Sequence, residues 1–488
     1  MLLRPPYRLI AVVVGMVALA LIVVGWTFLR TDAEDAPAEP PQEWEYVTAP
    51  DVMPPVIDVS RYDVPGAQPE TDDEGLIFLG PKDGDSMTGP LIVNADGAPV
   101  WIGPEERAYD VRVQHYQGEP VLTYWRGETV LPYYGVGEFV LLNQHYEEVA
   151  TVSTHGLPQR ADYHEMTLTD DGTALMIGHR LVRRDLSAKG GARRGWVADG
   201  IVQEVDVATG KVLFEWHTLG HIPINQSMTG LRAYGSGTRG DPYDYAHVNS
   251  VTEDGDDAFL ISARNTSAVY RVDRKTGDID WTLGGKASDF AMAPEVRFYW
   301  QHDAQRQDDG TITLFDNEGA PPKAKRSRGL RLALDLKTHT ARVVTEYLPP
   351  DDRLAGSQGN LQVMPNGHVF VGWGSQHYYS EYTADGDLLL DADFGTGESY
   401  RSYRFPWVGR PSDPPVLTVA DGTAYVSWNG ATEVTSWRFL AGDDAHSARN
   451  VGTVRREGFE TSAEIPNAPY VAVQALDADG KVLATVER

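Results

Sequence analysis

The chain has 488 residues and no cysteine. That absence excludes disulfides, thiolate nucleophiles, Cys-ligated zinc, iron–sulfur clusters and acylation as a lipoprotein. Positive charge is scarce as well. The 42 Lys and Arg are set against 70 Asp and Glu, a formal net charge of −28. Nucleic-acid phosphates are bound by clustered cations, so no nucleic-acid partner is expected, and acidity of this size mainly keeps an exported protein soluble. Between about residues 61 and 410 no long stretch of 3.6-residue periodicity occurs, which excludes a helical body. Histidine is sparse too, at 13 residues.

What is present is the punctuation of β-structure. Many of the 48 Gly and 31 Pro fall in Asp-Gly, Asn-Gly and Thr-Gly pairs, the residues that hairpin turns demand. One long apolar run stands apart. Leu9 to Leu29 is uncharged and would span roughly 31 Å as a helix, enough to cross the hydrocarbon core. Arg4 and Arg8 precede it, and Asp32, Glu34, Asp35 and Glu39 follow. The positive-inside rule therefore puts residues 1–8 in the cytoplasm, a signal anchor at 9–29 in the cell membrane as a single pass, and the C-terminal body outside the cell membrane. The competing reading is a cleaved signal peptide, for which Val24-Gly25-Trp26 is a poor cleavage site.

Residues 30–60, acidic and Pro-rich, read as a stalk. Residues 61–410 consist of short β-runs with a repeat. His164, His247 and His302 each stand seven residues before an Asp-Gly turn, at Asp171-Gly172, Asp254-Gly255 and Asp309-Gly310. Gly359 precedes Asn366-Gly367, and Asp110 more weakly precedes Gln117-Gly118, in the same way. Each unit holds about four strands, the size of a propeller blade. Starts near 75, 110, 164, 247, 302 and 359 predict a six-bladed β-propeller, with insertions around 183–200 and 221–243. Residues 411–488 alternate as sandwich strands do. The predicted fold is all-β: one N-terminal transmembrane helix, a propeller, and a small β-sandwich that resembles a fibronectin type III or immunoglobulin-like module. The sandwich reads as a spacer, or as a docking unit for wall polymers or a partner protein.

Inner strands of a propeller line its channel, so the three histidines are expected to converge there. A lone propeller histidine more often serves structure; three in one register favour a site. Asp162 and Glu165 flank His164 and could orient an imidazole. His247 and Asn249 are placed on one strand face by their i, i+2 spacing. Arg264, one hairpin later, suits an oxyanion. Trp300 beside Gln301-His302, with Trp373 and Tyr378, could wall the site. Asp303, Asp316, Asn317 and Glu318 carry oxygen ligands, but their spacing fits no known calcium loop. Arg183, Arg184, Lys189, Arg193 and Arg194, and a second group from Lys323 to Arg331, read as solvated basic loops.

The order of His164, His247-Val248-Asn249, Arg264 and Gln301-His302, over most of residues 75–400, resembles the arylsulfotransferases that use no nucleotide sulfate donor. The resemblance implies transfer of a sulfuryl group from a phenolic sulfate ester to a phenol through a sulfohistidine. It implies His302 as the nucleophile, His164 in proton transfer, and His247, Asn249 and Arg264 on the sulfuryl group, with small-molecule aryl sulfate and phenol as partners. Such a reaction needs no metal and no bound cofactor. The anchor, the C-terminal sandwich and the lack of an additional β-domain ahead of the propeller depart from the enterobacterial type. Two rivals come from other classes. A non-catalytic surface propeller would scatter the four side chains. A quinoprotein dehydrogenase needs a wider channel, usually eight blades, and calcium.

Overall fold

The computed structural model describes residues 44–66, 75–131, 134–319 and 321–488. The expected cytoplasmic segment, the anchor at Leu9–Leu29 and the stalk as far as residue 43 lie outside the described residues. Among the described residues, no helix is long and apolar enough to cross a membrane.

Among the described residues, six meander sheets follow one another along the chain. Leu76–Leu79, Leu91–Val93 and Pro99–Ile102 open the first, and Tyr403–Phe405 completes it by pairing with Leu76–Leu79. The second holds Ala108–Tyr116, Glu119–Leu131, Tyr134–Leu142 and Glu148–Val152, and the third Met166–Leu168, Thr173–Arg184, Gly195–Asp206 and Val212–His217. The fourth is Val248–Glu253, Ala258–Ala263, Ala268–Asp273 and Ile279–Gly284. The fifth runs from His302–Arg306 through Ile312–Asp316 and Arg328–Asp335 to Thr340–Tyr347. The sixth runs from Asn360–Val363 through Val369–Gly372 and Tyr378–Tyr382 to Leu388–Asp393, and Asp58–Arg61 adds an outer fifth strand. Successive antiparallel meanders, with a late strand returning to the first, are the arrangement of a β-propeller.

The predicted turns lie where they form hairpins. Gly172 and Gly310 have φ of +74° and +82°, conformations that a glycine adopts without a Cβ penalty. Apolar faces of adjacent sheets interdigitate. Leu175, Ile177 and Val202 of the third meet Val251, Phe259 and Ile261 of the fourth. Burial of each such side chain contributes about 1.5–3 kcal/mol.

Three sequence expectations are revised. The insertion expected at 183–200 is shorter, because residues 195–200 continue the strand Gly195–Asp206. The segment from Trp44 is no free stalk: Tyr46 packs 4.7 Å from Phe459, and Thr48 N–H donates to Glu460 at 2.6 Å. Trp373 and Tyr378 wall no site. Trp373 is buried in the sixth sheet's core, and the Arg353 guanidinium lies 3.5 Å from the centre of the Tyr378 ring.

The C-terminal region forms two further sheets. Thr423–Ser427 lies between Val416–Ala420 and Glu460–Glu464, and the other sheet has the order Arg449–Arg455, Ser436–Gly442, Tyr470–Leu476, Val482–Glu487. Its core indole is Trp437, whereas Trp428 follows its strand and donates to the Asp413 carbonyl at 2.6 Å. This unit is tied to the first two sheets. Asn429 exchanges two 2.8 Å hydrogen bonds with the Ile102 backbone, and Tyr146 stacks on Trp101 at 4.8 Å while donating to the Gly430 carbonyl.

Candidate active site

The three repeat-position histidines sit at the N-terminal ends of inner strands in the third, fourth and fifth sheets. With Arg264 they line one cavity of about 880 Å³. His164 precedes Met166–Leu168, and Asp162 holds its Nδ1 while also accepting its backbone N–H at 2.9 Å. His247 precedes Val248–Glu253, with Nδ1 2.5 Å from Asp244 Oδ2. The two imidazoles meet edge to face, 4.7 Å between centres at 89°. His302 opens the fifth sheet's inner strand. Its Nδ1 is 2.7 Å from Asn317 Oδ1, and its Nε2 accepts the Gln358 amide at 3.2 Å. Since Asn317 Oδ1 is only an acceptor, this pair places the imidazole proton on Nδ1 and the lone pair on Nε2.

Arg264 enters from the turn after Ala258–Ala263, where its N–H donates to the His247 carbonyl at 2.9 Å. Its guanidinium lies 4.8 Å from the Trp300 ring centre and 5.2 Å from that of Tyr234. The ring planes hold the cation in place, at roughly 0.5–2 kcal/mol per contact. Its field acts on the histidines. Burial, then Arg264, lowers His247 to about 4, outweighing Asp244. The same two causes hold His302 well below the ordinary histidine range. Both are neutral imidazoles at pH 7. Burial favours the neutral form of Asp162 and Asp244, but their histidine partners outweigh it and keep both carboxyls low.

Of the five residues expected in catalysis and sulfuryl binding, Asn249 does not line the cavity. His247 has φ +55°, and the register shifts between Val248 and Ser250. This bulge breaks the i, i+2 alternation on which the shared face depended. The Asn249 amide instead donates to the Gln301 carbonyl at 2.8 Å, fixing the strand that bears His302. Glu165 also turns away from the cavity. It pairs with Arg112 at 2.5 Å and with Arg401 at 3.0 Å, and Arg401 reaches Asp110 at 3.1 Å and, more distantly, Asp303 at 3.8 Å. This buried charge network forms a layer with Asp110, the weak repeat position, in place of a fourth ligand-facing group.

Several lining residues went unread in the sequence. Tyr109, Tyr163 and Tyr400 build an aromatic wall, with Tyr109 on Tyr163 at 4.4 Å and Tyr163 on His164 at 4.3 Å. Tyr109 and Tyr163 precede the marked positions Asp110 and His164 by one residue, which was the available signal. Lys82, buried in the short strand Pro81–Lys82 and paired with Glu398, and Arg107, 2.8 Å from Asp83 in the loop before Ala108–Tyr116, also line it. No local pattern marks them. Asn317, in a spacing that fits no calcium loop, has its oxygen on His302 and its nitrogen on the Ala355 and Gln358 carbonyls. Asp316 is taken by Arg328 and by the Tyr299 and Glu318 amides. Among the described residues, no group of three or more His, Asp or Glu is arranged to hold a metal ion.

Fold and site together define an all-β, propeller-like protein with a buried histidine–arginine cavity walled by aromatic rings. The profile of the arylsulfotransferase (ASST) family matches residues 112–395, more than half of the chain. The chain belongs to that family, whose activity is aryl sulfotransfer. No curated protein matches. Similar solved structures include a protein of unknown function from Bacteroides caccae (13% identity over 67% of this chain and 97% of that one, TM-score 0.40). A catalytically inactive virginiamycin B lyase from Staphylococcus aureus has 9% identity, coverage of 77% and 97%, and a TM-score of 0.35. Sqt1 of Saccharomyces cerevisiae has 12% identity, coverage of 81% and 83%, and a TM-score of 0.32.

Proposed function

We propose that this protein is an aryl sulfotransferase working by a ping-pong route through a sulfohistidine at His302. The observation that carries the reading is the meeting of His164, His247, His302 and Arg264 in one cavity with aromatic walls. A non-catalytic binding propeller gives no reason for that meeting.

His302 Nε2 attacks the sulfur of the aryl sulfate. An N–S bond forms, the S–O(aryl) bond breaks, and the phenolate leaves with the bonding pair. A neutral imidazole is a competent nucleophile, and here it is neutral because it is buried beside a cation. The proton stays on Nδ1 throughout, donated to Asn317 Oδ1, so in the second step the imidazole leaves as a neutral group while a phenol oxygen takes the sulfur. Arg264 neutralises charge on the sulfuryl oxygens, and the Gln358 amide, released from Nε2, stands beside them. His164, backed by Asp162, gives a proton to the departing phenolate, while neutral His247, backed by Asp244, takes one from the entering phenol and returns it to His164, whose ring centre is 4.7 Å away. These steps require no metal and no bound cofactor.

We further propose that the body works outside the cell membrane, anchored by Leu9–Leu29 with its N-terminus cytoplasmic; the apolar run and its flanking charges support this. The strand order of the C-terminal sandwich supports a fibronectin III-like module, and its ties to the first two sheets suit a rigid support. The test is incubation of the full chain with phenyl sulfate, with and without a phenol acceptor. Donor alone should add about 80 Da to the peptide bearing His302, acid-labile and discharged by phenol. A chain that turns over aryl sulfate with His302→Ala would overturn the assignment. One with neither label nor turnover would favour the binding-module reading.

A further inference from the structure

The strands Thr173–Arg184 and Gly195–Asp206 of the third sheet outrun their inner neighbour. Met166 pairs with Met176, and the strand then continues eight residues, to Arg184, roughly 25 Å. Because the pairing is antiparallel, this extension points past the end of Met166–Leu168 at which His164 sits, the end that carries the cavity. At its tip the connection 185–194 packs against the excursion 231–241. The Trp196 N–H donates to the Gly237 carbonyl at 2.8 Å, and Leu186 and Leu231 belong to one apolar cluster.

The resulting lobe carries Arg183, Arg184, Arg193, Arg194, Arg232 and Arg239, all exposed. None of the six has a carboxylate within ion-pair distance among the described residues, whereas Arg61, Arg107 and Arg410 elsewhere on the surface each do. Asp185 and Asp241, the acids of these two connections, are occupied with the backbone amides of Ser187 and Ser236. Arg183 and Arg239 lie over the same Trp196 ring, 4.8 and 5.8 Å from its centre, which holds both forks in place. In a chain with net charge −28, a lobe that sets six arginines against the two carboxylates Asp185 and Asp241 is a local inversion of sign. It is also joined to the cavity. Tyr234, two residues after Arg232, lines the cavity beside Arg264, and its carbonyl accepts the N–H of Asp244, the partner of His247.

We infer that this lobe is an outer subsite that selects polyanionic aryl substrates: donors or acceptors with further carboxylate, sulfate or phosphate groups on an arm extending from the reacting ring. The inference rests on the sulfotransfer reading for the ring's own position. The guanidinium fork suits bidentate oxyanions, and an arm leaving the cavity on the His164 side runs along the lobe. A monoanionic aryl sulfate reaches the cavity without engaging it.

The matched probes are two peptides with an O-sulfated tyrosine, one followed by three glutamates and the other by three glutamines. With the full chain at low ionic strength, kcat/KM for sulfuryl transfer to phenol should be at least about 10-fold higher for the glutamate peptide. The preference should fall towards one at high salt and in the variant R193Q/R194Q/R232Q/R239Q, whose turnover of phenyl sulfate should be unchanged. Phenyl sulfate turnover with equal use of the two peptides, or a preference that survives in the variant, would overturn the subsite and leave sulfotransfer standing. If no aryl sulfate is turned over, the proposed function fails, and fluorescence anisotropy of the labelled peptides still decides the lobe: equal binding by the native chain overturns it, and glutamate-selective binding lost in the variant supports it.

Discussion

Asn317 Oδ1 lies 2.7 Å from His302 Nδ1 and fixes which nitrogen of the buried imidazole carries the proton. Remove that acceptor and Nδ1 keeps the Trp300 carbonyl at 3.0 Å, a weaker hold. The other tautomer, whose Nε2 cannot attack, then gains population. Asn317→Ala is expected to lower kcat for phenyl sulfate about 10- to 100-fold with little change in KM, the cost of one buried hydrogen bond of about 1–3 kcal/mol. Single-turnover formation of the sulfuryl label measures this directly. An unchanged rate would mean that Asn317 only braces the Ala355–Gln358 loop.

The pH dependence follows from the low pKa values of His247 and His302. Burial and then Arg264 keep both neutral, so activity should persist well below the ordinary histidine pKa of about 6.5. Arg264→Gln removes one of the two causes. The acidic limb of kcat/KM should therefore move to higher pH, besides a fall in rate of about 100-fold or more from lost oxyanion contact. Stability follows with a definite sign. For His247, lowered to about 4, the unfolded chain binds more protons than the folded one between pH 4 and about 6.5. Its contribution is complete above that window and is lost as pH falls through it. His247→Gln should flatten the melting temperature over this interval; the same slope in the variant would count against the assignment.

Much of the fold was legible because hairpin chemistry is local. Asp171-Gly172, Asp254-Gly255 and Asp309-Gly310 each mark a turn between an inner strand and its neighbour, and counting back seven residues reached the cavity three times. Asn249 was misplaced because a strand face was inferred from alternation, and alternation fails where His247 takes φ +55°. Nothing near His247 in the sequence announces that bulge. Lys82 and Tyr400 were invisible for another reason. They reach the channel through ring closure, which brings residue 403 beside residue 78, a contact that no local pattern encodes.

Arg401 is nearly solvent-free and bonded to Asp110 and Glu165 in the network next to the site, with Asp303 close by. Burial pushes Asp110 and Asp303 up in spite of the arginines. Arg401→Met should therefore destabilise by about 3–5 kcal/mol, since it strands buried carboxylates. Urea denaturation of the full chain checks this. The loss should be smaller in Arg401→Met combined with Glu165→Gln, because the second change removes one stranded charge; equal losses would mean that the network's energy is not electrostatic.

His164 offers the most specific test of the division of labour. Its Nδ1 is held by Asp162, its ring stands edge-on to His247, and Tyr163 stacks against it at 4.3 Å, so its free edge has little choice but the cavity. A group that protonates the departing phenolate matters most when that phenolate is a poor leaving group. His164→Asn should therefore slow sulfuryl transfer from phenyl sulfate by about 100- to 10,000-fold, the usual range for general acid–base catalysis. The same change should slow 4-nitrophenyl sulfate far less, since nitrophenolate leaves with little help. A plot of log rate against leaving-group pKa should steepen in the variant when label formation on His302 is followed without acceptor. Parallel lines for native and variant chains would show that His164 orients the donor without passing it a proton.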